Sequence, residues 1–289
     1  MEKEKRQSLK IKAMQIRMEC LQAIKTAGSG HIGGSFSLAE LLSVLYFDEM
    51  KVDPNNPRKE NRDRFVLSKG HCAPAVYATL SLKGYFPLEE LATLRKIDSD
   101  LSGHIEMKHI PGVDMSAGSL GQGLSVAVGM ALSAKTYEKD YRTYCILGDG
   151  EIQEGQVWEA AMSAGNFHLD NLVAIVDNNK LQLDGTVEEI MSPYPIDQKF
   201  SSFKWNTIVI DGHDVEQVAN ALKKARETKG KPTLIVAETI KGKGASVFEN
   251  QVRFHGGKPT EAEFEVAFCE LNSKIKELEG LMNGRSSCY

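Results

Sequence analysis

A mainly parallel α/β sheet flanked by helices is the fold that three features of this chain predict. Two apolar runs, residues 144–147 and 172–176, end in turn-forming, oxygen-bearing residues: Gly148-Asp149-Gly150 after the first and Asp177-Asn178-Asn179 after the second. Between them, Val157, Ala160, Ala161, Ala164 and Phe167 recur at helical spacing over 156–169, so the segment reads strand, turn, helix, strand, the crossover that joins parallel strands. Short runs at 64–67, 207–210 and 233–237 supply the remaining strands.

The other elements follow in chain order. Residues 3–26 carry Leu9, Ala13, Ile16, Cys20 and Ile24 at three- and four-residue steps, an amphipathic helix stopped by Gly28 and Gly30. Ser37 with Glu40 predicts a capping box for a helix through Phe47, and Asp53-Pro54-Asn55-Asn56-Pro57 breaks the chain. After the strand at 64–67, helices are expected over about 73–82 and 88–96. Residues 97–119 lack periodicity, and a stretch of that length inside a compact domain signals function or a wrong assignment; we read it as functional. Residues 120–137 predict a helix with Val126, Ala127, Met130, Ala131 and Ala134 on its apolar face. Residues 187–204, broken by prolines, read as a loop, and Asp214 is the expected cap of a helix to residue 227. Lys241-Gly242-Lys243-Gly244 reads as flexible and basic. Thr260 with Glu263 caps a last helix whose Phe264, Phe268, Leu271 and Ile275 form a packing stripe.

Composition narrows the function classes. The chain has 39 acidic and 35 basic residues, a net charge of −4, and no long basic run, which argues against a nucleic-acid surface. Five cysteines, at 20, 72, 145, 269 and 288, are odd in number and show no CxxC, so a reducing cytoplasm is expected rather than a disulfide framework. The charged start MEKEKRQSLK and the lack of any stretch near about eighteen apolar residues argue against a signal peptide and a membrane span. With 42% apolar residues, no linker and no repeat, residues 1–289 are expected to form one domain.

Asp149 and Asn179, thirty positions apart, both fall at a strand's carboxyl end, where ligands of open parallel sheets bind. Turns alone would explain Gly, Asp and Asn there. The paired runs and the intervening helix favour a site, because a carboxylate, an amide oxygen and glycine amides suit a hard cation such as Mg²⁺ shared with a diphosphate.

At this point the chain resembles the transketolases. The resemblance rests on GDGEIQEGQVWEAAMSAGNFHLDNLVAIVDNNKLQLDG at 148–185, on Gly28-Ser29-Gly30-His31, and on NRDRFVLS at 61–68 followed by Lys69-Gly70-His71. Gly103-His104 and GSLGQG at 118–123 add to it. It implies a thiamine diphosphate-binding fold, specifically its diphosphate-binding domain, with Mg²⁺ as the metal and Ca²⁺ or Mn²⁺ as substitutes. Asp149, Asn179 and the backbone carbonyl of Leu181 are the implied metal ligands, with Asp177 orienting Asn179. Gly150 would let the backbone approach the diphosphate, Lys241 would lie near it, and Gly34 aligns with another cofactor contact. Gly118, Ser119 and Leu120 would receive the aminopyrimidine, with Ser119 standing where the family often has Pro. His71 and His255 are implied near diphosphate and substrate, His31 in the substrate channel, and His104 near the donor hydroxyl or the aminopyrimidine. Glu154 matches an acid of the proton network between paired active sites. His109, His168 and His213 have no such match, and Cys72 reads as packing.

In this family the glutamate that activates the aminopyrimidine and most sugar-phosphate contacts lie in a second domain. The resemblance therefore implies the N-terminal subunit of a two-gene transketolase, completed by a separate C-terminal subunit carrying the pyrimidine-binding and C-terminal domains, as α2β2, and acting on sugar phosphates. The α subunit of a 2-oxo acid dehydrogenase and a deoxyxylulose-phosphate-synthase relative share GDG, but the EIQEG and QLDG flanks favour transketolase. A non-catalytic cofactor-binding module is the remaining alternative, against which the retained Asp149, Asn179 and four histidines argue.

Overall fold

The computed structural model describes residues 1–282. In chain order its regular elements are α1 (Lys3–Ala27), α2 (Ile32–Ser37), α3 (Ala39–Val44), β1 (Arg64–Leu67), α4 (Ala73–Lys83), α5 (Gly123–Thr136) and β2 (Thr143–Gly148). They continue with α6 (Gly155–Asn166), β3 (Leu172–Asn178), α7 (Val187–Met191), α8 (Ile196–Ser202), β4 (Asn206–Asp211), α9 (Val215–Glu227), β5 (Thr233–Glu238) and α10 (Glu261–Met282). The five strands form one sheet in the order β1-β2-β3-β5-β4, every pair parallel, as predicted.

Alternation along the strands divides the core into two layers. Tyr144, Ile146, Val173, Ile175, Ile235 and Ala237 face one side, where α1, α3, α4, α9 and α10 supply apolar residues. Cys145, Leu147, Leu172, Ala174, Val176, Leu234 and Val236 face the other, against α5, α6 and α8. Each central strand is therefore apolar on both faces, which is why β2 and β3 read as continuous apolar runs.

α1 ends as predicted, with Gly28 in the left-handed region and its N–H on the carbonyls of Ile24 and Lys25. Thr260 and Glu263 form the expected reciprocal capping box at α10. Asp214 caps α9, Oδ1 accepting from the N–H groups of Glu216 at 2.9 Å and Gln217 at 3.4 Å. Asp214→Ala is expected to cost about 1 kcal/mol of stability in a urea titration; an unchanged midpoint would show that solvent replaces the cap.

Six expectations need correction. Ser37 does not cap a helix: it ends α2, and its hydroxyl donates to Asp177 Oδ2 at 2.7 Å. Glu40 instead receives both Nη atoms of the buried Arg17 at 2.6 Å and lies 2.9 Å from His213 Nδ1. Burial would raise the Glu40 carboxyl, but Arg17 and His213 hold it down at about 2. The expected helix at 88–96 shrinks to a tight 3₁₀ segment, Leu88–Thr93. Val126 (37% exposed) and Phe167 (49%) face outward: α5 buries the face carrying Leu124, Ala127, Val128, Ala131 and Ala134, which leaves Val126 to the side, and α6 ends at Asn166, short of Phe167. Residues 187–204 hold two short helices rather than a loop, the prolines marking their boundaries. Lys241 is 2% exposed, and its segment is tied down by Gly242 N–H on Gly33 O at 2.9 Å.

The aperiodic stretch 97–119 is held by long-range contacts that leave no sequence period. Asp114 accepts from Phe65 N–H on β1 and from the Arg62 guanidinium, each at 2.9 Å, while Leu101, Ile105 and Ile110 are buried. Cys20, Cys72 and Cys145 are buried free thiols and Cys269 is exposed; Cys288 lies outside the described residues. Among the described residues no helix is long and apolar enough to cross a membrane.

Candidate active site at the strand ends

Because the strands are parallel, their carboxyl ends share one edge of the sheet. Lys69 and His71 follow β1, Asp149 and Gly150 follow β2, Asn179 and Leu181 follow β3, and Lys241 follows β5. All of them line a cavity of about 260 Å³, joined by Gly34, Leu120, Glu154 and His255.

Its floor is rich in oxygen. Asp149 is 2% exposed; Oδ1 accepts from Gly150 N–H at 2.8 Å and Oδ2 from Lys180 N–H. Burial and then the nearby Asp177 push its carboxyl up to about 6. Asn179 donates Nδ2 to Asp177 Oδ2 at 2.9 Å, so its amide oxygen is the end turned to the loop, where it accepts from Leu181 N–H at 3.2 Å. The Leu181 carbonyl accepts from Lys241 Nζ at 2.9 Å, an oxygen already turned to positive charge. One desolvated carboxylate, one amide oxygen and one carbonyl match the donor preference of a hard divalent cation. No group of three or more His, Cys, Asp or Glu among the described residues could hold a metal by itself. A Cβ at Gly150 would come within 3.1 Å of Gln182 Cβ.

Beneath the floor lies a fixed polar network. Asp177 is fully buried and accepts from Lys69 Nζ, Ser37, Asn179 and Thr239. Burial opposes both charges, but each holds the other ionised: Asp177 is shifted down and Lys69 up. Buried Glu151 accepts from Ser68 Oγ, from Gly121 N–H at 2.9 Å and from Gly148 N–H at 2.9 Å. It ties together the ends of β1 and β2 and the glycine-rich turn before α5. The sequence reading gave neither Lys69 nor Glu151 a role, although both stand inside the matched segments. A lysine or glutamate beside a turn reads as solvated until tertiary structure buries it.

Above the floor four imidazoles converge. The His71 ring centroid is 5.0 Å from that of His255 and 5.2 Å from that of His31, which lies 5.6 Å from His255 and 5.8 Å from His104. Burial is the first cause of depression for all four, and neighbouring cations add to it. His31 falls to about 4 and His255 to about 3, with His71 and His104 also lowered. Lys241, 3.1 Å from His255 Nδ1, falls to about 8 through burial and the nearby Lys69. At neutral pH the cluster therefore holds neutral imidazoles, each with one donor and one acceptor nitrogen.

The structure thus gathers most of the sequence-predicted residues. A Cβ at Gly34 would press on Cys72 Sγ at 2.8 Å and approach His71 Nε2 at 3.5 Å, so glycine there keeps the cavity open. Gly118 lies against His104, but a Cβ would meet it only at 3.8 Å, so nothing among the described residues requires glycine at 118. Ser119 and Leu120 are exposed beside it, and Glu154 is exposed at the start of α6. His213 and His168 serve the fold: His213 Nε2 accepts from Ile240 N–H, and His168 Nδ1 lies 3.1 Å from Gly230 O.

Comparison with known proteins identifies the family. The family model described as transketolase, thiamine diphosphate binding domain, matches residues 8–272. The 6-deoxy-6-sulfo-D-fructose transketolase subunit SqwG of Clostridium sp. (strain MSTE9) is 48% identical over 259 residues, covering 90% of this chain and 94% of that protein. An apulose-4-phosphate transketolase subunit of Phocaeicola vulgatus is 41% identical over 279 residues, covering 96% of this chain and 99% of that one. Among solved structures, the transketolase of Campylobacter jejuni superposes with a TM-score of 0.87 at 33% identity, covering 96% of this chain and 46% of that one. The chain therefore spans about half the length of the solved transketolases it matches.

Proposed function

Because the chain belongs to the transketolase family, as its N-terminal, thiamine diphosphate-binding part, we infer that it is the N-terminal subunit of a split transketolase. In this reading residues 1–289 form one cofactor-binding domain of a cytoplasmic enzyme, and a separate C-terminal subunit completes an α2β2 assembly that moves a two-carbon ketol unit between sugar phosphates. Coverage of 94% and 99% of two transketolase subunits supports the division into two chains. The observation that carries the chemistry is the meeting of one carboxylate, two neutral oxygens and the imidazoles of His71 and His255 in one cavity at the sheet edge, with His31 against both rings and His104 against His31.

Asp149, the Asn179 amide oxygen and the Leu181 carbonyl would hold Mg²⁺, and Lys241, His71 and His255, which line the same cavity, would face the diphosphate. Bound thiamine diphosphate supplies the electron sink that bond cleavage beside a carbonyl requires. The chain's own share is to bind, orient and exchange protons. Neutral imidazoles can hydrogen-bond sugar hydroxyls and carry protons to and from them near neutral pH. Gly118, Ser119 and Leu120 would offer backbone groups to the aminopyrimidine, and Glu154 sits where a neighbouring subunit could reach it.

The test is reconstitution with the C-terminal subunit, Mg²⁺ and thiamine diphosphate. Ketose-phosphate consumption that requires both chains is expected, with a mass by light scattering of two copies of each. Decarboxylation of a 2-oxo acid, or no donor consumed, would reject the reading. His104→Ala should retain cofactor affinity and lower kcat by roughly a hundredfold, the scale of a lost proton-transfer group. Weakened cofactor binding at unchanged kcat would place His104 on the cofactor instead.

A further inference from the structure

Arg95 falls within the helix expected at 88–96 and was given no role at the site, yet three features bring it there. Its backbone is in the left-handed region (φ 59°), a conformation a non-glycine residue keeps where surrounding structure enforces it. Its guanidinium donates to Ser29 Oγ at 3.2 Å, lies 3.4 Å from His31 Nδ1 and reaches Gly103 O at 3.5 Å. A Cβ at Gly103, beside His104, would fall 2.7 Å from Arg95 Nε, so the arginine lies directly on that loop.

An arginine has five donors and no acceptor. The His31 nitrogen facing it must therefore be the acceptor, since an N–H there would oppose an N–H of the guanidinium. That places the ring proton on Nε2, the side on which Gly256 offers no side chain: a Cβ there would come within 3.5 Å of Nε2. We propose that Arg95 is a positioning residue of this site, holding His31 as the neutral Nε2–H tautomer and linking its ring to the loop that carries His104. His31 thereby presents a donor, not an acceptor, to a hydroxyl or carbonyl oxygen of the substrate. The inference deepens the proposed function and rests on the histidine cluster being the reaction centre.

The electrostatics agree with the geometry. Arg95, His71, His104, His255 and Lys241 surround the His31 ring. Its protonation is disfavoured first by burial and then by Arg95, His104 and Lys241. Removing Arg95 should therefore raise the His31 titration midpoint from about 4 without restoring the ordinary value, because burial remains.

The decisive measurement uses the full chain labelled with ¹⁵N-histidine, with His31 assigned by the signal lost in His31→Gln. Wild type should show one His31 tautomer, protonated on Nε2. Arg95→Met should show mixed tautomers and a raised midpoint, and Arg95→Lys, which keeps the charge and a donor, should return the midpoint towards wild type. In the reconstituted enzyme Arg95→Met should lower kcat about tenfold with little change in KM, as for loss of an interaction made in the transition state. A proton on Nδ1 in wild type, or an unchanged tautomer in Arg95→Met, would overturn the proposal. A loss confined to KM would also overturn it, by making Arg95 a substrate contact. If the spectra behave as expected but the pair transfers no ketol unit, the functional reading fails while the positioning stands.

Discussion

Asp149→Asn is expected to abolish metal-dependent retention of thiamine diphosphate while leaving the metal-free chain as stable as before, or more so. The carboxylate is the only anionic oxygen among the three proposed metal ligands, so its loss should exceed the roughly ten- to hundredfold penalty of losing an outer contact to a metal site. Calorimetric titration of cofactor with and without Mg²⁺ reads this directly, and cofactor affinity equal to wild type would remove Asp149 from the metal site. The stability half follows from the carboxyl being pushed up to about 6 by burial and Asp177. A folded-state value above the unfolded one means that the fold holds this proton more tightly. The group's contribution is present at low pH and is lost as pH rises through about 6, a change of roughly 3 kcal/mol in the metal-free chain. Urea unfolding of wild type and Asp149→Asn without metal should diverge across that window, the variant being the more stable at neutral pH. Parallel profiles would show that the carboxylate is relieved in some other way.

Lys69→Met should unfold the chain more readily by about 3–5 kcal/mol, because it leaves the Asp177 carboxylate buried without its counter-charge. Ser37, Thr239 and Asn179 would still donate to Asp177, but three neutral donors do not replace an ammonium in a desolvated site. A second effect is expected in the same variant. Asn179 is oriented through Asp177, so loosening that carboxylate should also weaken metal-dependent cofactor binding. Lys69→Met combined with Asp177→Asn separates the two: removing both charges should recover much of the stability, while the binding defect persists. A loss below about 1 kcal/mol for Lys69→Met would mean that the pair is not the charged, buried contact described.

Much of the architecture was legible because it is written in local chemistry. Two apolar runs buried on both faces, a small-residue crossover helix and caps at Gly28, Asp214 and Thr260 each need only neighbours within a few residues. The errors have a common origin. Ser37 and Glu40 carry the spacing of a capping box, but a buried aspartate 140 positions away claims the hydroxyl, and Arg17 claims the carboxylate. Lys241, with glycines beside it, reads as flexible until the first turn of α2 packs on it: a Cβ at Gly33 would lie 2.9 Å from Lys241 Cγ. Residues 97–119 gave no period because their order comes from Asp114 and three buried side chains.

Residue order alone was enough for the parallel α/β class, for the two strand ends that carry Asp149 and Asn179, and, through resemblance, for which histidines to inspect. It took the folded chain to bring Lys69 and Asp177 together as a buried ion pair beneath the proposed metal ligands, to make Glu151 the junction of three loops, and to gather the rings of His71, His104 and His255 around His31. Burial sets these properties. Whether a lysine is solvated or desolvated, and whether a histidine is charged or neutral, depends on groups brought together from across the chain, and no spacing along the chain records that.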